Sequence, residues 1–571
     1  MTDPEILNKA KSWLRAPYDP STQKEVRRLI ESDPEGLTDA FYKDLDFGTG
    51  GLRGTMGVGS NRVNRYSLGM ATQGLANYLK RSFSEPIRLV ISHDSRHHSR
   101  QFAVQTAEIL SANGITAFLF EDLRPTPLLS FAIRHLDCHS GIMITASHNP
   151  PEYNGYKVYW SDGGQLVPPH DKNVIDEVRR VTQTEVQFNA DHRLIKQVGP
   201  DVEEAYLKLL KGVSLSDLGK DKLKIVFTNI HGTAITLLPQ ALRSLGFTHV
   251  DIVAEQAEPD GNFSTVVSPN PEEAEALSMA VSQAKASNAD LVIGCDPDAD
   301  RVGIAVRDDN DELILLNGNQ TATVLIYYLL EQWKANGKLD GKQFIAETVV
   351  TTDLLQVIAE DYGVDCPLCL TGFKWIAHLI REREGKKQFI GGGEESYGYL
   401  VGDFVRDKDA IGSAAIIAEA AAWAKGNGSS FYKVLQQIYL KYGLYQESLK
   451  SITKKGKEGA DAIQAMMKRL REDPPAYLAG SKVVRIKDFQ FSSDTDVSTG
   501  NRSELPFPKS NVLQFFTQDG YKVTARPSGT EPKIKFYIGL KAEVSDIDDL
   551  KAKQVNLKEI NDRLLKEITG E

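Results

Sequence analysis

The run ADLVIGCDPDADR, Ala289–Arg301, reads as a buried strand that ends in an acidic loop. Two further strand-like runs precede it, LKIVFTNIHG (Leu223–Gly232) and HVDIVAEQ (His249–Gln256). Between these strands, the spacing of apolar residues predicts helices near Leu237–Leu245 and over Pro271–Ala286. Strands that alternate with amphipathic helices are typical of an α/β fold, so this stretch decides the fold class.

The same alternation extends along the chain in both directions. Within residues 87–147, IRLVISHD, GITAFLF and GIMITAS predict strands and QFAVQTAEILSANG predicts a helix. Within residues 344–393, FIAETVV, VDCPLCL and FIGGG predict strands. Residues 451–571 differ, because the helical segment KKGKEGADAIQAMMKRLRED is followed by four strands with short connections and a helical tail. Asp519–Gly520 between two of these strands is a strong hairpin signal, so we predict a separate α+β domain here.

Composition excludes several classes of protein. The 571 residues predict three to five domains at roughly 100 to 200 residues per domain. The net charge of −10 argues against a general affinity for nucleic acid or anionic membranes. No stretch approaches the ~20 apolar residues of a membrane span, and the first residues lack a signal-peptide core. We therefore expect a cytoplasmic protein.

The four cysteines fit a reducing compartment. Cys366 and Cys369 have the spacing of a redox motif, but a strand over VDCPLCL would place them on opposite faces. Two cysteines are also too few for a structural zinc site. With Cys138 and Cys295, they are expected to be ordinary reduced core thiols.

Polar or glycine-rich sequence directly follows several strands, where open α/β sheets bind their ligands. The loop TASHNPPEYNGYK, Thr145–Lys157, follows GIMI and predicts a rigid, exposed turn that presents the hydroxyl of Ser147. Taken alone, the loop fits equally well a turn stabilised by its own side chains. A Ser–His–Asp hydrolase is a further alternative, although the GxSxG motif is absent here.

The loop DPDADR places Asp296, Asp298 and Asp300 at alternate positions, followed by Arg301. Three carboxylates in this arrangement can converge on one hard cation, so the loop predicts a magnesium site. The Gly and Glu that an EF-hand requires are both replaced by Arg. A haloacid-dehalogenase phosphatase, with its Asp-x-Asp pattern, and a turn of solvated acidic residues are the alternatives.

The segments TGFKW (371–375) and GGGEESYG (391–398) offer side chains that could bind sugar hydroxyls. Nearby, RDKD provides Lys408 as a proton shuttle or a phosphate partner, although a solvated charge cluster would look the same. RPSGTEPKIK, starting at Arg526, combines a guanidinium, two hydroxyls and unobstructed backbone N–H groups, which suits a phosphate dianion.

Two other polar segments give weaker signals. FGTGGLRG contains Arg53 among several glycines but matches neither the Walker A motif nor the dinucleotide fingerprint. The histidines of SHDSRHHS are expected at the surface of a loop.

Taken in order, TASHNP, DPDADR, GEES and RPSGT resemble the α-D-phosphohexomutase family, specifically its bacterial phosphoglucomutase/phosphomannomutase branch. The likeness extends from FGTGGLRG to RPSGTEPKIKFY. It implies three tandem α/β domains with mixed sheets and a C-terminal α+β domain similar to the TATA-binding protein, around a central cleft. We expect boundaries at 1–215 for a phosphoserine domain, 216–318 for a metal-binding domain, 319–450 for a sugar-binding domain and 451–571 for a phosphate-binding domain.

The resemblance also assigns roles to residues of this sequence. The implied phosphoserine is Ser147, which together with Asp296, Asp298 and Asp300 would hold magnesium. The other implied catalytic residues are Arg53, His148, Lys157, Arg301 and Lys408, with Lys408 as the general acid/base. The implied substrate-binding residues are Thr371, Gly372, Lys374, Glu394, Ser396, Arg526, Ser528, Gly529 and Thr530.

The implied activity is interconversion of glucose 1-phosphate and glucose 6-phosphate through glucose 1,6-bisphosphate, which acts as intermediate and activator. The partner would be a phosphosugar, and the enzyme a monomer or weak homodimer. DPDADR, where many members have DGDGDR, also occurs in longer relatives that include phosphopentomutases. Phosphomannomutase, phosphopentomutase or bisphosphate-sugar synthase activity therefore stays open. Further alternatives are a phosphatase with an aspartate nucleophile and a non-catalytic sugar-phosphate-binding protein.

Overall fold

A computed structural model describes residues 3–48, 50–454, 456–528 and 533–569 of the chain. The chain divides into two compact units. The first unit comprises residues 1–316, 377–391 and 396–428, and the second comprises residues 317–376, 392–395 and 429–571.

Three short helices begin the first unit: α1 (Pro4–Ser12), α2 (Pro20–Ser32) and α3 (Pro34–Phe41). Each starts with a proline, and the aspartate before it accepts a hydrogen bond from a backbone N–H of the first turn. Proline suits this position because its φ is already helical and its missing N–H would have no helical partner. The helices pack around the buried Trp13, which stacks on Tyr18.

The first sheet is mixed and, within the described residues, has the strand order β1-β5-β4-β2-β3-β6. The β2, β3, β4 and β6 strands run parallel, whereas β5 is antiparallel to both β4 and β1. Every residue of β4 is buried, as expected for a central strand that helices cover on both faces. The elements are β1 (Gly51–Thr55), α4 (Arg65–Ser82), β2 (Arg88–His93), α5 (Ser99–Ala112), β3 (Thr116–Phe120), α6 (Thr126–His135), β4 (Ser140–Ile144), β5 (Tyr153–Trp160), α7 (His170–Arg180), β6 (Ile195–Val198) and α8 (Asp201–Val213).

The second sheet, also in the first unit, has the order β11-β10-β9-β7-β8 and contains the three strands that the sequence predicted around Ala289–Arg301. Its elements are β7 (Lys224–Thr228), α9 (Leu238–Ser244), β8 (His249–Ile252), α10 (Ala254–Ala257), α11 (Ser278–Ser287), β9 (Leu291–Cys295), β10 (Val302–Arg307) and β11 (Leu313–Leu316). The prediction of a helix starting at Pro271 is wrong, because α11 begins at Ser278. Before it, the Asn270 side chain accepts the N–H of Glu272, a local bond that competes with helix formation.

The next part of the chain contributes α12 (Gly318–Ala335), β12 (Gln343–Thr348), α13 (Leu354–Asp361), β13 (Leu368–Cys369), α14 (Phe373–Arg383), β14 (Gln388–Gly393), β15 (Tyr399–Val401), α15 (Ala410–Gly426) and α16 (Phe431–Tyr442). The strand predicted over VDCPLCL is shorter than expected. Leu368 and Cys369 pair with β12, and Asp365 makes an isolated bridge to Phe344. Between them the ladder is interrupted, since the proline at 367 has no N–H to donate. In the described part of the chain all four cysteines are free thiols, and Cys138, Cys295 and Cys369 are buried as predicted, whereas Cys366 is only partly buried.

The C-terminal sheet lies in the second unit and has the order β16-β23-β22-β21-β18-β19-β20, with β17 paired to β18. The predicted hairpin at Asp519–Gly520 is confirmed, and Gly520 has a φ of +81°, which glycine adopts without strain. The elements are β16 (Leu444–Thr453), α17 (Gly456–Glu472), β17 (Tyr477–Leu478), β18 (Ser481–Asp488), β19 (Ser493–Asp496), β20 (Arg502–Glu504), β21 (Leu513–Thr517), β22 (Lys522–Pro527), β23 (Lys533–Ala542) and α18 (Ile547–Thr569).

This architecture agrees with the predicted fold class of α/β units followed by an α+β domain. The four domain boundaries and the cleft stay predictions. None of the helices in the described residues is long and apolar enough to cross a membrane.

The buried side chains of Asp409 and Tyr206 fix the start of α15, which begins two residues after Lys408. The carboxylate of Asp409 accepts the N–H of Gly412 as the helix cap, and the hydroxyl of Tyr206 on α8 donates to it at 2.7 Å. Both side chains are inaccessible to solvent, and burial raises the pKa of Asp409 to about 6. The helix start is therefore held by a carboxyl group that resists ionisation.

We expect the protein to lose stability through Asp409 as the pH rises from 4 to 6. The folded state holds the proton to about pH 6, whereas an unfolded aspartate loses it near pH 4. The Asp409→Asn variant keeps the cap but cannot ionise, so its unfolding free energy relative to wild type should rise by up to about 3 kcal/mol between pH 4 and pH 7. Urea denaturation at both pH values measures this, and two parallel pH profiles would contradict it.

Candidate active site

Ser147 lies three residues beyond the end of β4, in a strained turn. Its φ is +53°, a left-handed conformation that is uncommon outside glycine, and its N–H donates to Thr145 Oγ1 at 2.8 Å. The predicted rigid turn is present, but the prediction that it is exposed is wrong, because Ser147 is only 3% exposed. Covered by neighbouring loops, the hydroxyl is held away from bulk water.

The Ser147 hydroxyl has two neighbours. Its Oγ donates to Asp296 Oδ2 at 2.7 Å and lies 3.1 Å from His148 Nδ1. Burial, together with the positive charges of Arg301 and Arg53, holds the pKa of His148 well below its usual value. The imidazole is therefore neutral at physiological pH and can exchange a hydrogen bond with the serine without carrying a charge.

The three predicted metal ligands form one buried cluster after β9. Carboxylate oxygens of Asp296, Asp298 and Asp300 lie within 4.8 Å of one another. The loop turns tightly enough for Asp296 Oδ1 to accept the backbone N–H groups of Asp300 at 3.0 Å and Arg301 at 2.9 Å. The alternate spacing of the acidic residues thus brings all three side chains to one side of the loop.

This cluster fits a hard divalent cation. Among the described residues, Asp298 Oδ1 and Asp300 Oδ1 are buried and have no hydrogen-bond partner, a costly state for charged oxygens. Burial and the two neighbouring carboxylates raise the pKa of Asp296 well above its usual value. Oxygen donors with an excess of negative charge are the ligands that magnesium and calcium prefer.

Two lysines border the cluster. Lys157 Nζ, on β5, lies 2.7 Å from Asp298 Oδ2 and 3.0 Å from Asp300 Oδ2, and Lys408 Nζ lies 3.3 Å from Asp300 Oδ2. Burial acts to lower the pKa of Lys157, but the two carboxylates outweigh burial and raise it. Lys157 therefore stays protonated at neutral pH.

Lys408 is held by a separate set of groups. Asp407 Oδ1 accepts from Lys408 Nζ at 3.1 Å, while Asp407 Oδ2 accepts from Tyr159 at 2.7 Å and from Gln165 at 2.9 Å. Gly398 leaves room for the lysine stem, since a Cβ there would overlap it and lie 2.7 Å from Lys408 Cγ. Asp407 thus holds the Lys408 ammonium group, and the space beside Gly398 holds its aliphatic stem.

The two predicted arginines take different positions. Arg301 pairs with Glu272 and lies 3.9 Å from Asp300 Oδ1. Arg53, on the edge strand β1, is exposed and donates to Asn149 Oδ1 at 3.0 Å, two residues beyond Ser147. The first unit therefore contains every predicted catalytic and metal-binding residue.

The second unit contains most of the predicted substrate-binding residues. Glu394 is buried and accepts the N–H of Gly372 at 2.8 Å, which joins the two predicted sugar-binding segments. The hydroxyl of Thr371 is buried, and Lys374 lies over the ring of Trp375. Ser396, in contrast, belongs to the first unit.

The predicted phosphate loop lies at the end of β22 in the second unit. Arg526 Nη1 donates to Tyr537 at 3.4 Å, and the Ser528 N–H donates to Lys533 O at 2.7 Å. Gly529 and Thr530 lie outside the described residues. Burial and Glu394 raise the pKa of Glu395 to about 7, although Lys535 and Arg526 act to lower it.

Comparison with known families adds independent evidence. The phosphoglucomutase/phosphomannomutase α/β/α domain models match this chain in their natural order: domain I over residues 44–185, domain II over 204–309 and domain III over 317–442. The chain belongs to the phosphoglucomutase/phosphomannomutase family. The predictions of a phosphohexomutase fold and of an enzyme are thereby confirmed.

Relatives of this family member match over nearly their whole length. A phosphoglucomutase of Staphylococcus epidermidis is 37% identical over 522 residues, 90% of this chain and 94% of that protein. A phosphoglucomutase of Staphylococcus aureus strain MRSA252 is 38% identical over 522 residues, 91% of this chain and 93% of that protein. The fold resembles a solved open form of parafusin, a phosphoglucomutase from Paramecium, with a TM-score of 0.68, 19% identity and coverage of 93% and 96% of the two chains.

Sequence analysis of this phosphoglucomutase/phosphomannomutase family member missed three buried residues of the site. Thr126 Oγ1 donates to Asp298 Oδ2 at 2.9 Å, and Asp94 and Arg96 lie under the serine loop. Of the three histidines of SHDSRHHS that were expected at the surface, His97 and His98 are exposed, but His93 is buried. Asp94 and Arg96 could have been found from their place in the sheet. They follow β2, which pairs in parallel with β4, so they lie at the same edge of the sheet as the serine loop.

We expect the Gly398→Ala variant to lose mutase turnover by about 10- to 100-fold, because the added methyl displaces Lys408, the predicted general acid/base, and a small misplacement of such a group costs this much. Gly212→Ala, on α8 with open space around it, is the matched control and should keep full turnover. Steady-state kinetics measures both variants. Equal turnover of the two would show that the position of Lys408 is unimportant.

Proposed function

We propose that the protein is a phosphoglucomutase that interconverts glucose 1-phosphate and glucose 6-phosphate through a phosphoryl group carried on Ser147. The observation that carries this proposal is the 2.7 Å contact between Ser147 Oγ and Asp296 in a buried cluster of three carboxylates. Relatives named phosphoglucomutase that align over nearly the whole chain support the same activity.

Magnesium is the proposed cofactor, held by Ser147 with Asp296, Asp298 and Asp300. When bound, the ion supplies positive charge that stabilises the phosphoryl oxygens during transfer. Arg301, held beside the cluster by Glu272, adds a second positive charge to the same region. Charge neutralisation and positioning provide most of the acceleration in phosphoryl transfer, so these residues account for the largest catalytic effect.

Each half-reaction also moves one proton. The attacking sugar hydroxyl loses its proton as its oxygen bonds to phosphorus, and Ser147 Oγ gains a proton when its bond to phosphorus breaks. Lys157 is held as an ammonium between two carboxylates, which suits charge stabilisation rather than proton exchange. We therefore assign the proton transfer to Lys408, whose Nζ lies farther from its two carboxylates, at 3.3 Å from Asp300 Oδ2 and 3.1 Å from Asp407 Oδ1.

The substrate-binding roles are assigned by chemistry. Glu394 and Thr371, with Gly372, Lys374 and Ser396, are proposed to bind the sugar. The loop that starts at Arg526 and contains Ser528, Gly529 and Thr530 is proposed to bind the phosphate that is not being transferred, since a guanidinium and hydroxyls match its oxygens. The proposed intermediate is glucose 1,6-bisphosphate, which also loads Ser147 with phosphate.

The first test is turnover of glucose 1-phosphate with magnesium and catalytic glucose 1,6-bisphosphate. Ser147→Ala should lower turnover by at least about 10³-fold, because the phosphoryl acceptor is lost. Ser282→Ala, an exposed serine on α11 of the same unit, is the matched control and should keep wild-type turnover. Turnover that survives the Ser147 substitution would overturn the proposed mechanism.

The same assay with mannose 1-phosphate and ribose 1-phosphate ranks the sugars. The proposal expects glucose 1-phosphate to have the highest kcat/KM. Faster turnover of ribose 1-phosphate would instead assign a phosphopentomutase, with the same serine and aspartates.

Magnesium binding can be tested without turnover. Asp298→Asn should weaken magnesium affinity at least about tenfold in isothermal titration calorimetry, because a hard cation loses an anionic ligand. Asp290→Asn, which removes an aspartate paired with Lys425 away from the cluster, should leave affinity unchanged. Equal affinities for the two variants would exclude Asp298 as a ligand.

A further inference from the structure

One buried arginine holds the backbone of the serine loop. Arg96 Nη2 donates to the carbonyl oxygens of Ser147 and Asn149, both at 2.5 Å. Its Nη1 donates to the carbonyl oxygens of Pro150 at 2.7 Å and Tyr153 at 3.1 Å. Four carbonyl groups of one loop therefore converge on a single guanidinium.

The guanidinium is fixed from beneath by Asp94. Arg96 Nε lies 3.2 Å from Asp94 Oδ2, and neither side chain is exposed to solvent. Asp94 Oδ1 accepts the N–H of Arg96 at 3.0 Å and the hydroxyl of Ser99, at the start of α5, at 2.7 Å. The pair is thus anchored to the helix that follows β2.

A turn between α10 and α11 of the same unit covers the arginine. The ring of Phe263 lies 4.9 Å from the guanidinium carbon, within the range of a cation–π contact. Gly261 in this turn lies so close to the segment after β2 that a Cβ on it would be 2.7 Å from His97 N. In addition, His97 Nε2 lies 2.8 Å from Asn262 Oδ1. The turn therefore keeps Arg96 in one place.

We propose that Arg96 is a positioning residue for phosphoryl transfer, which acts by holding Ser147 in its left-handed conformation with Oγ directed at Asp296. A non-glycine residue at a φ of +53° costs free energy, and the surrounding contacts must offset that cost. Only a planar guanidinium has enough donors in a fixed geometry to satisfy several carbonyls at once. A lysine could keep the charge but not this set of contacts.

The inference rests on the proposed function. Its test therefore measures the turnover of the sugar phosphate, the phosphorylation of the protein and the folding of each variant. The variants are Arg96→Lys and Phe263→Leu, with Arg193→Lys, an exposed arginine paired with Asp191, as the matched control. Each is assayed for kcat and KM with glucose 1-phosphate. Intact-protein mass spectrometry follows phosphorylation of the chain by glucose 1,6-bisphosphate, and thermal denaturation reports folding.

Arg96→Lys is expected to fold and to lower kcat by about 10- to 100-fold with KM changed less than about threefold, because the serine is misplaced rather than the sugar lost. Its phosphorylation by the bisphosphate should slow by the same factor. Phe263→Leu should show the same pattern to a smaller degree, and Arg193→Lys should match wild type.

A folded Arg96→Lys variant with wild-type kcat and phosphorylation rate would overturn the inference, as would a raised KM at unchanged kcat. If Arg96→Lys does not fold, Phe263→Leu decides by the same criteria. Wild-type protein that is never phosphorylated on Ser147 would reject the proposed function itself. If the wild-type protein and the Arg96→Lys variant are phosphorylated at the same rate, only the role of Arg96 is rejected.

Discussion

Three carboxylates buried within 4.8 Å of one another are the constraint on which the rest of this site depends. Buried charge is costly unless neighbouring groups compensate for it. The protein supplies backbone N–H groups to Asp296, an ammonium from Lys157 to Asp298 and Asp300, and a hydroxyl from Thr126 to Asp298. Each of these donors comes from a different element, so the sheets and loops of the first unit must be assembled before the cluster is tolerated.

The serine loop shows the same dependence on distant support. Ser147 combines a left-handed backbone with nearly complete burial, and neither is favourable for an isolated turn. The loop is held by Arg96 from below and meets Asp296 from the second sheet. These contacts keep the Ser147 hydroxyl close to acidic groups, as the proposed phosphoryl transfer requires.

The sequence was sufficient for the alternation of strands and helices around Ala289–Arg301 and for several loops of the candidate site, because both depend on local patterns. It was not sufficient for β5, which begins at Tyr153 within the segment interpreted as a loop. Alternating carboxylates predicted the Asp296 cluster, and apolar runs predicted the buried strands. It was not sufficient for Arg96 or Thr126, whose partners lie 51 and 172 residues away along the chain. The predicted helix start at Pro271 was also wrong. The Asn270 side chain accepts the N–H of Glu272, which competes with helix formation, and α11 begins at Ser278.

The charges around the cluster explain why a divalent cation is the ligand that fits. The three cluster aspartates and Asp407 face the ammonium groups of Lys157 and Lys408, which leaves an excess of two negative charges. Arg301 offsets this excess only in part, since Glu272 pairs with it. The raised pKa of Asp296 and the buried oxygens that lack partners among the described residues express the same unmet need for positive charge. One divalent ion would meet it without protonating the carboxylate that contacts Ser147.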